Sequence, residues 1–250
     1  MINSEVILIT GSSRGLGAFA AESFSALGYT VVVNCSKSVR EAEALVRKIK
    51  SRLAGTEAAA IRADVSNRAE VRAMFDEIYG RFGRCDVLVN MAGVNMDGPF
   101  AEMTDEQWDR VVRTILTGTF ICGQEFAVRY RGNGGHIINI GSVTATTGRK
   151  NGANYCSARA GVLNLTRCMA LELAPRISVN TVTPGYIGTE EVMTRHSLHV
   201  RENHEKAVSR IPAGILGTPE DVFKAMDFLV RSSSYITGQN IIVDGGLMMR

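Results

Sequence analysis

The sequence lacks the features that mark membrane, secreted and nucleic-acid-binding proteins. It has no apolar run long enough to cross a bilayer. Its 28 Lys and Arg against 25 Asp and Glu leave a net charge of only +3, with no dense basic tract. Strand-like residues begin within six positions of Met1, which leaves no room for a signal peptide. We therefore expect a soluble cytoplasmic protein with neither nucleic acid nor membrane as a partner.

The histidines and cysteines also show no pattern of a metal or disulfide framework. The five cysteines are odd in number and follow no ligand spacing, so we expect reduced thiols. His196, His199 and His204 have no supporting carboxylate or cysteine, and a solvated or lid-facing role is favoured over metal binding. The sequence predicts no metal site.

Glycine is concentrated in one stretch near the start of the chain. Val6 to Thr10 is a short apolar run that predicts a buried strand. The segment TGSSRGLG at 10–17 follows, and the next residues place Leu16, Phe24 and Leu27 on one helical face. A strand, a glycine turn and a helix start present backbone N–H groups to a pyrophosphate. The alternative is that these glycines only end a strand.

Strand-like and helix-like segments alternate along the rest of the chain. This alternation predicts a single Rossmann-type, doubly wound α/β domain over residues 1–250, with a seven-stranded parallel sheet and helices on both faces. Its ligand should lie beyond the carboxyl ends of the strands. The expected strands are 6–10, 29–34, 58–63, 86–90, 136–140, 177–182 and 241–243, and the longer expected helices are 39–53, 104–131 and 152–174.

The end of the second strand bears on cofactor choice. Asn34 to Lys37 contains no acid to accept a hydrogen bond from a ribose 2′-hydroxyl, as NAD sites usually have. Arg14 and Lys37 could instead pair with a 2′-phosphate, or could be solvated surface charges. We therefore expect NADP(H) rather than NAD(H). Asp64 could accept from the adenine amino group, or could cap the helix that begins near Asn67.

Six motifs in order carry a family resemblance. TGSSRGLG at 10–17, NMAG at 90–93, Ser142 in IGS, Tyr155 in GANY, PGYIGT at 184–189 and VDGG at 243–246 resemble the short-chain dehydrogenase/reductase family. Within it the chain is most similar to 3-oxoacyl-[acyl-carrier-protein] reductases. The resemblance covers essentially the whole chain.

The resemblance implies which residues act. Ser142 and Tyr155 would polarise a carbonyl oxygen, Tyr155 would supply the proton, and Arg159 stands where the family has the lysine that supports the tyrosine. The implied cofactor-binding residues are Gly11, Ser13, Arg14, Gly15, Leu16, Gly17, Lys37, Asp64, Val65, Asn90, Ala92, Gly93, Tyr155, Arg159, Pro184, Gly185, Ile187 and Thr189.

The sequence departs from the family at three supporting positions. Arg159 replaces the lysine, Ile115 stands where an asparagine positions a relay water, and Met91 replaces a second asparagine. Arginine supplies a fixed cation but does not deprotonate, and Ile115 fits an apolar core position. We expect NADPH-dependent reduction of a 3-oxoacyl thioester, linked to acyl carrier protein or to coenzyme A. The alternative is a cofactor-binding subunit of weak or no activity that partners an active relative.

The resemblance also suggests a substrate lid and partners. The lid would span about 186–211, and the carboxy-terminal segment 245–250 would pair subunits into a homotetramer, with a heteromer of a related reductase as the alternative. Arg129 and Arg131 could dock an acidic acyl carrier protein, or could be charges favoured at a helix carboxyl end.

Overall fold

A seven-stranded, all-parallel β-sheet runs through the computed structural model, which describes residues 4–52, 56–232 and 235–249. Its order is β3-β2-β1-β4-β5-β6-β7, so the chain reverses direction across the sheet between β1 and β4. The Rossmann-type fold predicted from the alternation is confirmed. The strands are β1 Val6–Ile9, β2 Thr30–Cys35, β3 Ala58–Arg62, β4 Val87–Asn90, β5 Gly135–Ile140, β6 Ile177–Pro184 and β7 Asn240–Val243.

Helices cover both faces of the sheet. One face packs against the apolar sides of α1, α2 and α10, and the other packs against α3, α5 and α7. The helices are α1 Gly15–Ala26, α2 Val39–Arg52, α3 Arg68–Phe82, α4 Asp105–Val112, α5 Gly118–Arg129, α6 Thr144–Thr147, α7 Ala153–Leu173, α8 Glu190–Arg195, α9 Arg201–Val208 and α10 Pro219–Arg231. No helix within the described ranges combines the length and apolarity needed to cross a bilayer.

The strands are apolar on both sides because both sides are covered. In β1, Ile7 and Ile9 face one cluster while Val6 and Leu8 face the other, and all four are fully buried. Successive strand side chains point to opposite faces, so a continuous apolar run fits a sheet between two helical layers. This explains why these strands were visible in the sequence.

The long helix expected over 104–131 is interrupted. A π-helical turn, Arg113–Thr117, separates α4 from α5. Phe120, in α5 just after the π turn, is 41% exposed. Leu27 was expected on the same helical face as Leu16 and Phe24, yet it follows the end of α1 and is 44% exposed, whereas Phe24 is fully buried.

Two predicted boundaries fall outside the described residues, and helix α10 was not predicted. Leu53, the expected end of α2, and Arg250, the end of the predicted pairing segment, are not described. α10 begins with a capping box in which Thr218 and Asp221 bond reciprocally, with Pro219 at its first position.

Replacing Phe24 by Ala should strongly destabilise the fold. Phe24 is fully buried, and its ring lies 4.9 Å from that of Phe223 and 5.5 Å from that of Tyr29. The cavity left behind should lower the free energy of unfolding by about 3–5 kcal/mol. Phe100→Ala is the control, since Phe100 is 83% exposed and should change stability by less than about 0.5 kcal/mol. Equal urea midpoints for the two variants would contradict the placement of Phe24.

Candidate functional site

The turn after β1 lies directly against the turn after β4. Gly11 has φ +63°, and a Cβ added to it would lie 2.7 Å from the Cα of Ala92. Thr10 joins the same two turns, because its hydroxyl oxygen accepts hydrogen bonds from the backbone N–H groups of Met91 and Ala92, at 3.0 and 3.1 Å. The predicted segments 10–17 and 90–93 therefore meet at the switch point of the sheet.

Asn34 fixes the glycine turn from the neighbouring strand. It is buried, its Oδ1 accepts from the backbone N–H of Gly11 at 3.2 Å, and its Nδ2 donates to the carbonyls of Ile61 and Ala63. One amide thus connects the carboxyl ends of β1, β2 and β3. The sequence marked Asn34 only as a strand end, although a polar residue at the end of an apolar run was a usable signal.

The start of α1 has unsatisfied N–H groups suited to an anion. Arg14 precedes the helix with extended backbone, gives no side-chain cap, and the first turn contains no acid. By contrast, α3, α4 and α10 are capped by Asn67, Thr104 and Thr218. Free N–H groups and the helix dipole together favour a phosphate at this point. The residues present therefore fit the pyrophosphate of a dinucleotide.

Basic side chains surround the end of β2. Arg14 and Lys37 are exposed, which fits both a contact with a ligand phosphate and a solvated surface charge. Arg62, at the end of β3, adds a third guanidinium that the sequence analysis missed: its Nε donates to the carbonyl of Ser36 at 3.1 Å. Spatial pairing of β2 with β3, rather than any local pattern, brings it there.

Asp64 is held by its own neighbours. Its carboxylate accepts from the backbone N–H and hydroxyl of Ser66, and from Arg110 on α4 at 3.1 Å. Burial alone would raise the pKa of Asp64, but the hydrogen bonds from Ser66 and Arg110 outweigh it, and the pKa lies below its usual value. The helix-capping alternative is wrong, because Asn67 caps α3. The neighbouring Val65 packs against Gly118.

The first turn of α7 carries Tyr155 and is anchored from outside the helix. Asn154 is fully buried; its Nδ2 donates to the carbonyls of Met96 and Gln107, at 2.9 and 3.0 Å, and its Oδ1 accepts from the N–H of Tyr155. In the sequence, Asn154 stood out only as part of the GANY motif. Through these contacts Asn154 fixes the backbone position of Tyr155 at the start of α7.

Ser142 follows β5, and its hydroxyl contacts Thr144. Its oxygen accepts from the backbone N–H of Thr144 at 3.3 Å and lies 3.0 Å from the Thr144 hydroxyl. Either hydroxyl can be the donor in that contact, so the Ser142 proton can point to Thr144 or turn to a ligand.

Arg159 is buried beside Tyr155. It is 6% exposed, its Nη1 donates to the carbonyl of Ile140 at 2.5 Å, and its guanidinium carbon lies 5.3 Å from the Tyr155 ring centroid. Its Nε has no hydrogen-bond partner. A Cβ at Gly93 would lie 2.8 Å from its Nη2. Arg159 thus contacts both Tyr155 and the end of the strand that leads to Ser142.

Ile115 lies in the apolar core, as the sequence analysis suggested for this position. It is fully buried in the π turn and packs in a small cluster with Val111, Ala158 and Val162, against which Tyr155 is also packed. No polar group is offered at this position. π turns are frequent at functional sites. The backbone around Ile115 therefore has a feature typical of such sites, although its side chain is apolar.

A second arginine lies on the Tyr155 ring. The guanidinium carbon of Arg149 is 5.0 Å from the ring centroid, and Arg149 bonds both carboxylate oxygens of Asp97, one of them at 2.7 Å. Beside it opens a cleft of about 360 Å³ to which Phe100 and Ala153 contribute apolar surface. Neither Arg149 nor Asp97 was singled out from the sequence.

The remaining predicted residues lie after β6. Gly185 lies against Asp244, Ile187 is buried and bridges to Gly217, and Thr189 caps α8. Helices α8 and α9 fall inside the predicted lid, 186–211. His196 stacks edge-on against Tyr186, and its pKa is lowered by burial and by Arg195 and Arg149. Within the described ranges no three acidic, histidine or cysteine side chains gather as metal ligands would.

The arginines at the end of α5 have intramolecular partners. Arg129 pairs with Asp76 at 2.7 Å and with Glu125, and Arg131 donates to the carbonyl of Val128. These contacts favour the structural alternative for both residues over docking of a carrier protein.

The chain is similar to known proteins over nearly its whole length. A family model described as enoyl-(acyl carrier protein) reductase matches residues 11–248. The 3-oxoacyl-[acyl-carrier-protein] reductase FabG of Staphylococcus aureus is 39% identical over 245 residues, covering 97% of each chain. The 3-oxoacyl-[acyl-carrier-protein] reductase of Synechocystis is 39% identical over 252 residues, covering 99% of this chain and 98% of that protein. This chain belongs to the short-chain dehydrogenase/reductase family.

Solved structures of the family share the fold closely. A gluconate 5-dehydrogenase from Burkholderia cenocepacia, in complex with NADP and tartrate, is 32% identical with a TM-score of 0.89, covering 98% of this chain and 96% of that one. A glucose/ribitol dehydrogenase from Brucella melitensis is 29% identical with a TM-score of 0.90, covering 98% and 97%. Like its relatives, the chain is an NAD(P)-dependent oxidoreductase of CH–OH and C=O groups.

Replacing Gly11 by Ala should cost more than replacing Gly28. Both glycines have positive φ, +63° and +92°, so either alanine incurs about 1–2 kcal/mol of backbone strain. Only at Gly11 would the new Cβ also collide with backbone, at 2.7 Å from Ala92, whereas nothing lies within 4 Å at Gly28. Urea unfolding should show the larger loss for Gly11→Ala, and equal losses would contradict the close approach of the two turns.

Proposed function

We propose that this protein reduces a 3-oxoacyl thioester to the 3-hydroxyacyl form with NADPH. The observation that carries the proposal is Arg159, buried between the Tyr155 ring and the carbonyl of Ile140, two residues before Ser142. A cation, a phenol and a serine hydroxyl at the carboxyl edge of the sheet are the groups that a ketone reduction needs.

The roles of the chain's residues follow from their chemistry. The hydroxyls of Ser142 and Tyr155 would hold the keto oxygen, and Tyr155 would give it a proton. Arg159 would stabilise the phenolate that remains, and its unpartnered Nε could donate to a ribose hydroxyl. When bound, the nicotinamide supplies the hydride.

NADPH is favoured over NADH by charge. No acid stands at the end of β2, while Arg14, Lys37 and Arg62 bring three cations to that edge. A 2′-phosphate is a strong acceptor for such groups. Asp64 keeps acceptor capacity for an adenine amino group beyond its bonds to Ser66 and Arg110.

The thioester is favoured by the relatives' names and by the cleft. Two relatives at 39% identity are 3-oxoacyl-[acyl-carrier-protein] reductases. Phe100, 83% exposed beside the cleft, offers apolar surface for an acyl chain. The gluconate 5-dehydrogenase, at 32% identity, makes a sugar acid the competing substrate class. Parallel assays with the two thioesters will distinguish an acyl group carried on protein from one carried on coenzyme A.

A cofactor-binding subunit of weak activity is the second candidate. It is favoured by Ile115, which offers no polar group, and by Arg159, which cannot pass on a proton. The partner would then be an active relative.

Assembly, lid and location complete the proposal. Phe228, Ile242 and Met249 are 54%, 45% and 80% exposed around the edge strand β7, which supports a homotetramer or a heteromer formed through this region.

Helices α8 and α9 would close over the substrate. A cytoplasmic location agrees with the thiols, none of which forms a disulfide within the described residues.

The purified protein should oxidise NADPH in the presence of an acetoacetyl thioester. Tyr155→Phe should lower kcat/KM at least about 100-fold because it removes the proton donor. Tyr79→Phe, which removes a hydroxyl on α3, is the matched control and should leave the rate unchanged. Parallel assays should use the acyl carrier protein thioester, the coenzyme A thioester, and gluconate with NADP⁺.

The outcomes separate the candidates. Turnover of a thioester that is lost in Tyr155→Phe supports the reductase. Turnover of gluconate but of neither thioester would contradict the thioester proposal. NADPH binding with no turnover, even in Ile115→Asn/Arg159→Lys, would favour the subunit.

Cofactor preference should depend on the exposed bases. Arg14→Ala and Lys37→Ala should each weaken NADP⁺ binding about tenfold, about 1.4 kcal/mol, and leave NAD⁺ binding nearly unchanged. Lys224→Ala, an exposed lysine on α10, is the control. Titration calorimetry measures all four proteins, and tighter binding of NAD⁺ than of NADP⁺ by the parent would refute the preference.

A further inference from the structure

We propose that Arg149 is a positioning residue that holds the Tyr155 ring for the reaction, an inference that rests on the function proposed above. The ring lies between two guanidinium groups, Arg149 at 5.0 Å and Arg159 at 5.3 Å from its centroid. Arg159 comes from the same helix one turn later, whereas Arg149 comes from the loop before it. The ring is therefore held from outside its own helix.

Arg149 is itself fixed by three hydrogen bonds. Its two terminal nitrogens bond both carboxylate oxygens of Asp97, and Nη2 also donates to Oδ1 of Asn95 at 3.0 Å. A bidentate arginine–carboxylate pair restricts both the position and the plane of the guanidinium. With these donors engaged, Arg149 is better suited to hold a ring than to bind a substrate anion.

The backbone is shaped to bring Arg149 onto the ring. A Cβ at Gly152 would lie 2.7 Å from Nε of Arg149, so the side chain folds back across a position that only glycine leaves open. The N–H of Gly98 donates to the carbonyl of Asn151 at 2.9 Å, and Asn154 donates to Met96. Three separate contacts thus join the 149–154 loop to the 95–98 segment.

This arrangement links the tyrosine to the predicted cofactor segment. Residues 95–98 directly follow Asn90–Gly93, so Asp97 ties Arg149 to the end of β4 rather than to the lid. Arg149 therefore fixes the hydroxyl of Tyr155 relative to the strand end where the nicotinamide would lie. Its cation on the ring face also favours the phenolate left after proton transfer.

The test separates kcat from KM. Arg149→Met should lower kcat with the acetoacetyl thioester about 10- to 100-fold, because a small displacement of the acid is enough. KM and the Kd of NADPH should change less than about threefold, as for an interaction made only in the transition state. Asp97→Asn should show a smaller loss in the same direction.

Arg84→Met is the matched control. Arg84 forms the same bidentate pair with Asp86, with both contacts at 2.7 Å, but next to the amino end of β4 and without a contact to Tyr155. It should leave kcat within about twofold. Gly152→Ala is the second variant, in case Arg149→Met does not fold. It keeps the charge but displaces the flexible side chain from the ring, and should also lower kcat.

Each outcome decides the proposal. A raised KM with unchanged kcat in Arg149→Met would show a substrate contact and overturn positioning. A kcat loss no larger than that of Arg84→Met, or full activity in Gly152→Ala, would overturn it as well. A parent that does not turn over defeats the proposed function and the positioning role together. Turnover lost in Tyr155→Phe but kept in Arg149→Met defeats only the positioning role.

Discussion

The structure depends on the contact between the carboxyl ends of β1 and β4. Gly11 allows the backbone of the first turn to lie against Ala92, and the Thr10 hydroxyl bonds two N–H groups of the second turn. Asn34 extends the contact to β2 and β3. Because parallel strands end at one edge, these short-range contacts assemble a site from segments that lie far apart in the chain. A side chain at position 11 would separate the two halves of the sheet where the cofactor is expected.

Arg159 shows what the site requires beyond the fold. A buried cation without a full set of acceptors is destabilising, and here the holding contact is a carbonyl oxygen rather than a carboxylate. The Tyr155 ring face offsets part of the cost, but Nε stays without a partner. Arg149, less buried, has Asp97 as a full partner. The contrast supports the proposed ligand contact for Arg159 and the proposed positioning role for Arg149.

Sequence patterns predicted the elements that depend only on neighbouring residues. The strands were expected within one or two residues because each is an apolar run between two helical layers. The signature of α10, Thr218 with Asp221, was equally local and was overlooked. The π turn leaves no periodic signal, so one continuous helix was expected over 104–131. The contact of Arg149 with Asp97 spans 52 positions, and only the folded chain reveals it.

Two of the three departures from the family, Arg159 and Ile115, lie beside the same glycine. A Cβ at Gly93 would approach both Nη2 of Arg159, at 2.8 Å, and Cγ1 of Ile115, at 3.7 Å. The Arg159 guanidinium thus shares the neighbourhood of Gly93 with the side chain at 115, which is fully buried and apolar. An asparagine there would face a planar, fully charged group rather than a compact ammonium. Neighbouring substitutions are expected to be energetically coupled. The effect of changing Arg159 or Ile115 alone should therefore depend on which residue stands at the other position.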